Sequence, residues 1–251
     1  MSTSQFFGLN ISYTGLTAAN AALNTTANNI SNVETEGYSR QKTVQEASNA
    51  LRTFTTYGCA GAGVDTIAIE RIRDEFYDAK YWNNREKLGE AEVKSYYMKS
   101  VENYFNDTDM VKGFNTSFNL MFNALEELSK NAGAVSTKSQ FVMYAQSLCD
   151  YFNSVSNQLT ELQKDVNTEI KDCVSTINSI AEQIATLNKQ INVIELTKVS
   201  ANELRDKRAL LIDELSQYVS VETIETPIYD TANNYDTGAN RYQVLICGGQ
   251  P

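Results

Sequence analysis

"LCDYFNSVSNQLTELQKDVNTEIKDCVSTINSIAEQIATLNKQINVI", residues 148–194, decides how the rest of this chain is read. Apolar side chains fall at Leu148, Phe152, Val155, Leu159, Leu162, Val166, Ile170, Cys173, Ile177, Ile180, Ile184, Leu187, Ile191 and Ile194. Steps that alternate four and three keep such a stripe on one side of an α-helix. Two fours in succession at 162–166–170 make a stutter, which unwinds a supercoil locally without ending the helix. With its flanks the helix runs from about Ser136 to Leu196, and roughly sixty residues at ~1.5 Å each reach about 90 Å. A small globule cannot wrap such a rod, so the expected class is mainly α, an elongated antiparallel bundle with very long helices.

The neighbouring segments fit that plan. Residues 74–105 form one helix with Tyr77, Tyr81, Leu88, Ala91, Met98 and Phe105 as its inward row and mixed charges outside. "FNDTD" (105–109) breaks it, and a helix over about 111–130 follows, with Phe114, Phe118, Met121, Leu125 and Leu128 inward. "NAGA" (131–134) is the cap and turn before the long helix. "SANELRDKRALLIDELSQYV" (200–219) is a further helix, with Leu204, Leu211 and Leu215 inward and its charges outward.

Then the period changes. "VSVETIET" (219–226) and "RYQVLICGG" (241–249) alternate at period two around the turn-rich "DTANNYDTGAN" (230–240), which predicts a β-hairpin. A lone hairpin is barely stable, so this is expected to be the start of a larger, truncated β-rich domain. Upstream, "VDTIAIERI" (64–72) alternates well enough for a strand, whereas 38–56 shows no clear period. The expected domains are 1–33, an axial helix that is mobile alone; 34–72, a turn and extended connector; 73–219, the bundle; and 219–251, the β-rich beginning.

Composition excludes much. Thirty-one Asp and Glu against 21 Lys and Arg give a net charge of −10, which argues against nucleic acid and anionic membrane surfaces. No apolar run is long enough to span a bilayer. There is no histidine, the commonest general base and metal ligand. Cys59, Cys149, Cys173 and Cys247 are scattered without CxxC spacing, and Cys149 and Cys173 sit at helical positions expected to be buried. Gly58, Gly61 and Gly63 lack the GK[ST] of a phosphate loop. Adjacent acids such as Asp74/Glu75, Glu126/Glu127 and Asp213/Glu214 point to different helix faces and form no general acid/base pair. The sequons at Asn10, Asn24, Asn29, Asn106 and Asn115 are chance in an Asn-rich chain. No catalytic residue, cofactor or metal is indicated, and the chain is expected not to be an enzyme.

The first 33 residues carry no charged side chain. They lack the basic start and continuous apolar core of a secretory signal peptide. Leu9, Leu16, Leu23 and Ile30 recur at intervals of seven, on one helix face; Asn20, Asn24 and Asn28 form a neighbouring row. A helix with groups that hydrogen-bond but no ions to solvate suits surroundings of protein on most sides. Residues alone leave two readings level: a small-residue helix inside its own domain or a floppy terminus, against a helix covered on assembly.

The motif that follows the helix adds a resemblance. "GLTAANAALNTTANNISNVETEGYSRQ" (15–41) resembles the shared N-terminus of bacterial flagellar rod, hook and hook-associated proteins, a helix followed by N-N-I-[AS]-N and G-Y-[ST]-R. Here the signature falls on Asn29, Asn32, Gly37, Tyr38 and Arg40, with Glu36 where related sequences often have Pro. Long helices directly after it, "GAGVDTIAIERIRDEFYDAKYW" and "SANELRDKRALLIDELSQYVSVE" are similar to the hook-associated members rather than to the β-rich hook and rod proteins. The resemblance implies a structural subunit in a ring between hook and filament, with an assembly interface in the axial tube expected at Leu9, Leu16, Leu23 and Ile30 and at the neighbouring Asn20, Asn24 and Asn28. It implies self-assembly, contact with the hook protein and a neighbouring hook-associated protein, and passage through the flagellar export apparatus with an export chaperone and no cleaved signal. In that family a C-terminal heptad helix pairs with the first one, and the sequence here ends before such a helix. Alternatives are a coiled-coil adaptor that docks one partner helix along 148–194, or another axial rod or hook protein.

Overall fold

The computed structural model describes residues 6–52, 59–107, 113–229 and 235–249. In chain order its elements are α1 (Phe7–Ser31), β1 (Gln41–Ala47), β2 (Leu51–Arg52), β3 (Cys59–Ala60), β4 (Val64–Arg71), α2 (Glu75–Tyr104), α3 (Phe114–Lys130), α4 (Val135–Glu195), α5 (Asn202–Leu215), β5 (Val221–Tyr229) and β6 (Asp236–Ile246). The mainly helical class, the single very long helix and the closing antiparallel strands are those the periodicity predicts. By internal contact the chain divides into two units, Met1–Lys87 with Asn178–Pro251, and Leu88–Ile177. Helices α2 and α4 contribute to both.

The unit 88–177 is helical. The Asp107 carboxylate accepts from the Gly113 and Thr116 backbone N–H groups at 3.0 Å each and from the Thr116 hydroxyl at 2.7 Å. A carboxylate at a helix N-terminus satisfies donors that the helix leaves open. The Thr116 hydroxyl and these N–H groups hold the Asp107 carboxyl below its usual range. Along α3, Phe114 stacks on Phe118 and Phe118 on Phe122, with ring centroids 5.6 and 6.3 Å apart. Phe114 also meets Phe152 of α4.

The other unit sets α1 across an antiparallel hairpin. Strands β1 and β4 pair from Gln41↔Arg71 to Ala47↔Val64, with a register shift between Val44 and Gln45. Its core is Trp82, Ile180, Ile184, Ile191, Ala209, Ile212 and Leu215. Strands β5 and β6 pair from Val221↔Ile246 to Tyr229↔Asp236. Arg205 on α5 grips Glu195 through Nε and Nη2 at 2.5 and 2.8 Å and reaches Glu225 on β5 at 3.0 Å. The planar fork of Arg makes this bidentate pair both strong and directional. The Trp82 indole N–H donates to Asp213 at 2.6 Å, tying α2 to α5.

Several expectations shift. In α2 the exposed residues include Tyr77, Tyr81, Leu88 and Met98, while Trp82 is buried. The inward row is displaced by one position, about 100° around the helix. In α3, Ser117 and Ala124 are buried and Phe114, Phe118 and Leu125 stay half-exposed, again one residue off the expected row. In α5 the buried row is Asp206, Arg208, Ala209, Ile212 and Leu215, so two charges face inward and Leu204 and Leu211 are only half-buried. Cys149 is exposed and Cys173 intermediate, not buried. Strand β1 forms where no period was visible, because β4 supplies its partner. Strand β6 starts at Asp236, inside the stretch read as turn, and residues 230–234 lie outside the described ones.

Ile212 is wholly buried, so Ile212→Ala is expected to destabilise the protein by about 2–5 kcal/mol in urea unfolding. Val193→Ala, at a side chain 67% exposed, should stay within about 0.5 kcal/mol of the parent.

Candidate functional site

Helix α1 has two unlike sides. Its buried residues are Ala18 and Thr25, with Ile11, Thr14, Ala21, Ala22 and Asn29 partly covered. Small side chains at this spacing let the helix backbone approach the hairpin closely. The Gln45 amide donates to the Ala18 carbonyl at 3.1 Å. The Thr14 hydroxyl donates to Ile11 O and accepts weakly from the Val64 N–H at 3.4 Å. Gly63 lies at this crossing with φ +108°, and a Cβ there would come within 2.1 Å of Thr14 Oγ1. Only glycine combines that backbone angle with that clearance.

The C-terminal end of α1 is fastened by amides. The Asn29 side chain donates to Gln41 O and accepts from Gln41 N–H, both at 2.8 Å, as a neighbouring strand would. The Tyr38 hydroxyl donates to Asn29 Oδ1 at 2.9 Å and accepts from Asn28 Nδ2 at 3.3 Å. Asn32 Nδ2 donates to Asn28 Oδ1 at 2.8 Å and to Asn28 O at 2.9 Å. Gly37, at φ +76°, makes the turn between them, with the Leu210 side chain 3.2 Å from where a Cβ would sit. The Arg40 carbonyl accepts from Ile72 N–H at 2.8 Å while its side chain is exposed. Burial first, then the nearby carboxylates Asp206 and Glu203, push the Tyr38 phenol above its ordinary value, so it stays neutral and donates.

Beyond this network lies Asp206, which accepts from Ser39 N–H at 3.1 Å and from Arg71 Nη1 at 2.8 Å. Its side chain is 7% exposed and that of Arg71 16%. Nothing in the local pattern near residue 206 announces this partnership, which spans 167 residues of chain. Gln41, Asp206, Arg71, Thr14 and Gly63 are therefore the functional-site neighbours that sequence reasoning missed. The row Ile11, Thr14, Ala18, Thr25 and Asn29 carried a usable signal, a helical repeat of small residues.

The outer side of α1 is apolar and open. Leu9, Leu16, Leu23 and Ile30 are 60–69% exposed, and Tyr13 and Val33 join them. Asn20 and Asn24 are exposed beside that row, whereas Asn28 turns inward to the Tyr38 network. So the structure gathers Asn28, Asn29, Asn32 and Tyr38 into one cluster, and sets the heptad row away from it. Among the described residues no group of His, Cys, Asp or Glu is placed to hold a metal ion, and no helix is long and apolar enough to cross a membrane.

The family model for the flagellar hook-associated protein FlgK helical domain matches residues 98–251. The chain belongs to the FlgK family. A second model, for the flagella basal body rod protein, matches residues 9–38, the segment of α1 and the signature turn. Flagellar hook-associated protein 1 of Bacillus subtilis is 36% identical over 225 residues, 88% of this chain and 44% of that relative. The Escherichia coli and Salmonella typhimurium proteins of the same name are each 31% identical over 241 residues, 94% of this chain and 42% of theirs. The chain thus spans less than half the length of these FlgK relatives. Among solved structures, the flagellar hook junction protein FlgK from Burkholderia pseudomallei aligns with TM-score 0.58 and 25% identity, over 69% of this chain and 28% of that one.

Gly63→Ala should loosen the α1–hairpin contact and lower stability by more than about 1 kcal/mol. Thr14→Ala in the same chain should restore only the steric part, leaving the cost of the positive φ. A double-mutant cycle in urea measures this, and full additivity of the two changes would contradict the close approach.

Proposed function

We propose that this chain is a structural subunit of the bacterial flagellum that assembles in a ring at the hook–filament junction and adapts one to the other. The observation that carries the proposal is the two-sided α1: an inner face of small and amide side chains fixed to its own hairpin, and an outer, charge-free apolar row left open. Such an outer row has no reason to be uniformly apolar on a helix facing water, and its contacts are best supplied by neighbouring subunits. In this reading residues 1–33 are the axial segment, 34–72 the connector, 73–219 the helical bundle and 219–251 the start of a β-rich domain. Its partners are copies of itself, the hook protein and an adjoining hook-associated protein. Delivery is through the flagellar export apparatus with a chaperone, to a location on the flagellum outside the cell, without cleavage of a signal.

The adaptor alternative needs the 148–194 seam free. Val155, Ile180, Ile184 and Ile191 are buried, which removes much of that seam from any partner.

Cysteines introduced at Leu16 and Leu23 in full-length protein are expected to cross-link between subunits in native flagella. Leu16→Glu with Leu23→Glu should leave the monomer folded, since both side chains are exposed, yet abolish incorporation. Flagella that incorporate the double mutant normally would sink the proposal.

The inner anchors of α1 are neutral hydrogen bonds, each contributing about 0.5–1.5 kcal/mol net. Residues 1–33 are therefore proposed to open readily in the free subunit and to finish ordering on assembly. Hydrogen exchange on a proven monomer checks this, and strong protection across residues 10–30 would overturn it.

A further inference from the structure

Away from α1, a cavity of about 330 Å³ opens between the start of α2, helix α5 and the last hairpin. Four arginines, Arg71, Arg73, Arg205 and Arg208, and four carboxylates, Glu70, Glu75, Asp78 and Glu225, line it, together with Trp82 and Tyr242. Three of them have carboxylate partners: Arg71 has Asp206, Arg73 has Asp78, and Arg205 has Glu195 and Glu225. Arg208 forms no ion pair among the described residues, although it is only 4% exposed. Its Nη1 donates to the neutral Asn188 side chain at 2.8 Å, and its guanidinium lies 3.5 Å from the centroid of the Tyr242 ring.

A guanidinium carries five N–H donors in one plane. Tyr242 covers one face of that plane and Asn188 takes one donor, and Arg208 borders the cavity. A cation this deeply buried requires a counter-charge. The lining carboxylates are engaged elsewhere, Glu70 with Lys42, Asp78 with Arg73 and Glu225 with Arg205, except Glu75, which is exposed at the start of α2. Glu225, an anion felt at Arg208, is engaged by Arg205 at 3.0 Å and by the Asn240 amide at 2.7 Å. Arg205 and Arg71 add repulsion, and with burial as the largest cause they push the Arg208 guanidinium down to about 10. Burial raises the Tyr242 phenol above its ordinary value, so it stays neutral and supplies no charge.

We propose that this cavity is a carboxylate-binding site, in which the free edge of Arg208 holds a carboxylate brought by another molecule. The planar fork matches a carboxylate in two parallel hydrogen bonds. The source is either a free small carboxylic acid or the Asp or Glu side chain of a second copy of this chain. The site is independent of the assembly role proposed for α1, and either can fail alone.

The single tryptophan of the chain, Trp82, lines the same cavity and reports its occupancy. Titration of the whole chain with sodium acetate, at ionic strength held constant with sodium chloride, should change Trp82 emission saturably. Arg208→Lys keeps the charge and loses the fork, so acetate should bind roughly tenfold more weakly. Glu225→Gln removes a lining anion felt at Arg208 and should tighten binding severalfold. That variant stands in if substitutions at Arg208 fail to fold, and unchanged affinity in it would overturn the proposal. A second arm dilutes the protein without acetate. Emission that varies with protein concentration and is reset by acetate identifies a side chain of a second copy as the source, and concentration-independent emission identifies a free acid. A response that chloride alone reproduces, or none in either arm, refutes the site.

Discussion

Much of the arrangement hangs on one buried carboxylate. Asp206 takes the Ser39 amide with one oxygen and the Arg71 guanidinium with the other, so the signature turn, the end of β4 and helix α5 meet at a single side chain. Breaking a buried pair of this kind strands the remaining charge and costs about 3–5 kcal/mol. The consequence is geometric as well as energetic. Asn29 clasps Gln41, Gln41 pairs with Arg71, and Arg71 is held by Asp206, so the direction in which α1 leaves the turn is referred back to α5.

The element plan was legible from periodicity because long helices with few prolines leave a clear repeat. Along the frame of α4, Val155, Ile180, Ile184 and Ile191 are buried as their spacing predicts, whereas Phe152, Leu159, Ile170 and Ile194 of the same frame are exposed. The faces of α2, α3 and α5 were harder, and for a shared reason. The expected inward rows followed the largest apolar residues, whereas the folded chain puts Ser117, Ala124 and Ala209 inside and leaves Tyr77 and Phe118 outside. Close helix contacts select for small side chains, and size alone does not identify a core.

The candidate site divides in the same way. Asn28, Asn29, Asn32, Gly37 and Tyr38 stand out through their resemblance to a known turn, and local hydrogen bonds then explain why those types are needed. Asp206, Arg71 and Gln41 could not be found from neighbours in sequence, since their roles depend on pairings made across the fold. Strand β1 is a similar case: its polar, weakly alternating residues become a strand only when β4 lies beside them. Arg208 is the sharper lesson. A charge on a helix with alternating charges reads as solvated surface, yet it is stacked on an aromatic ring in the interior.

From Phe7 to Ser31 helix α1 contains no Asp, Glu, Lys, Arg or His. Contacts made through such a surface have no Coulombic component for dissolved ions to screen, and no group on it changes protonation between mildly acidic and mildly alkaline water. Its strength is set by apolar burial and neutral hydrogen bonds, which respond weakly to both. In the proposed assembly, contacts through this helix are therefore expected to depend less on ionic strength than ion-paired contacts would.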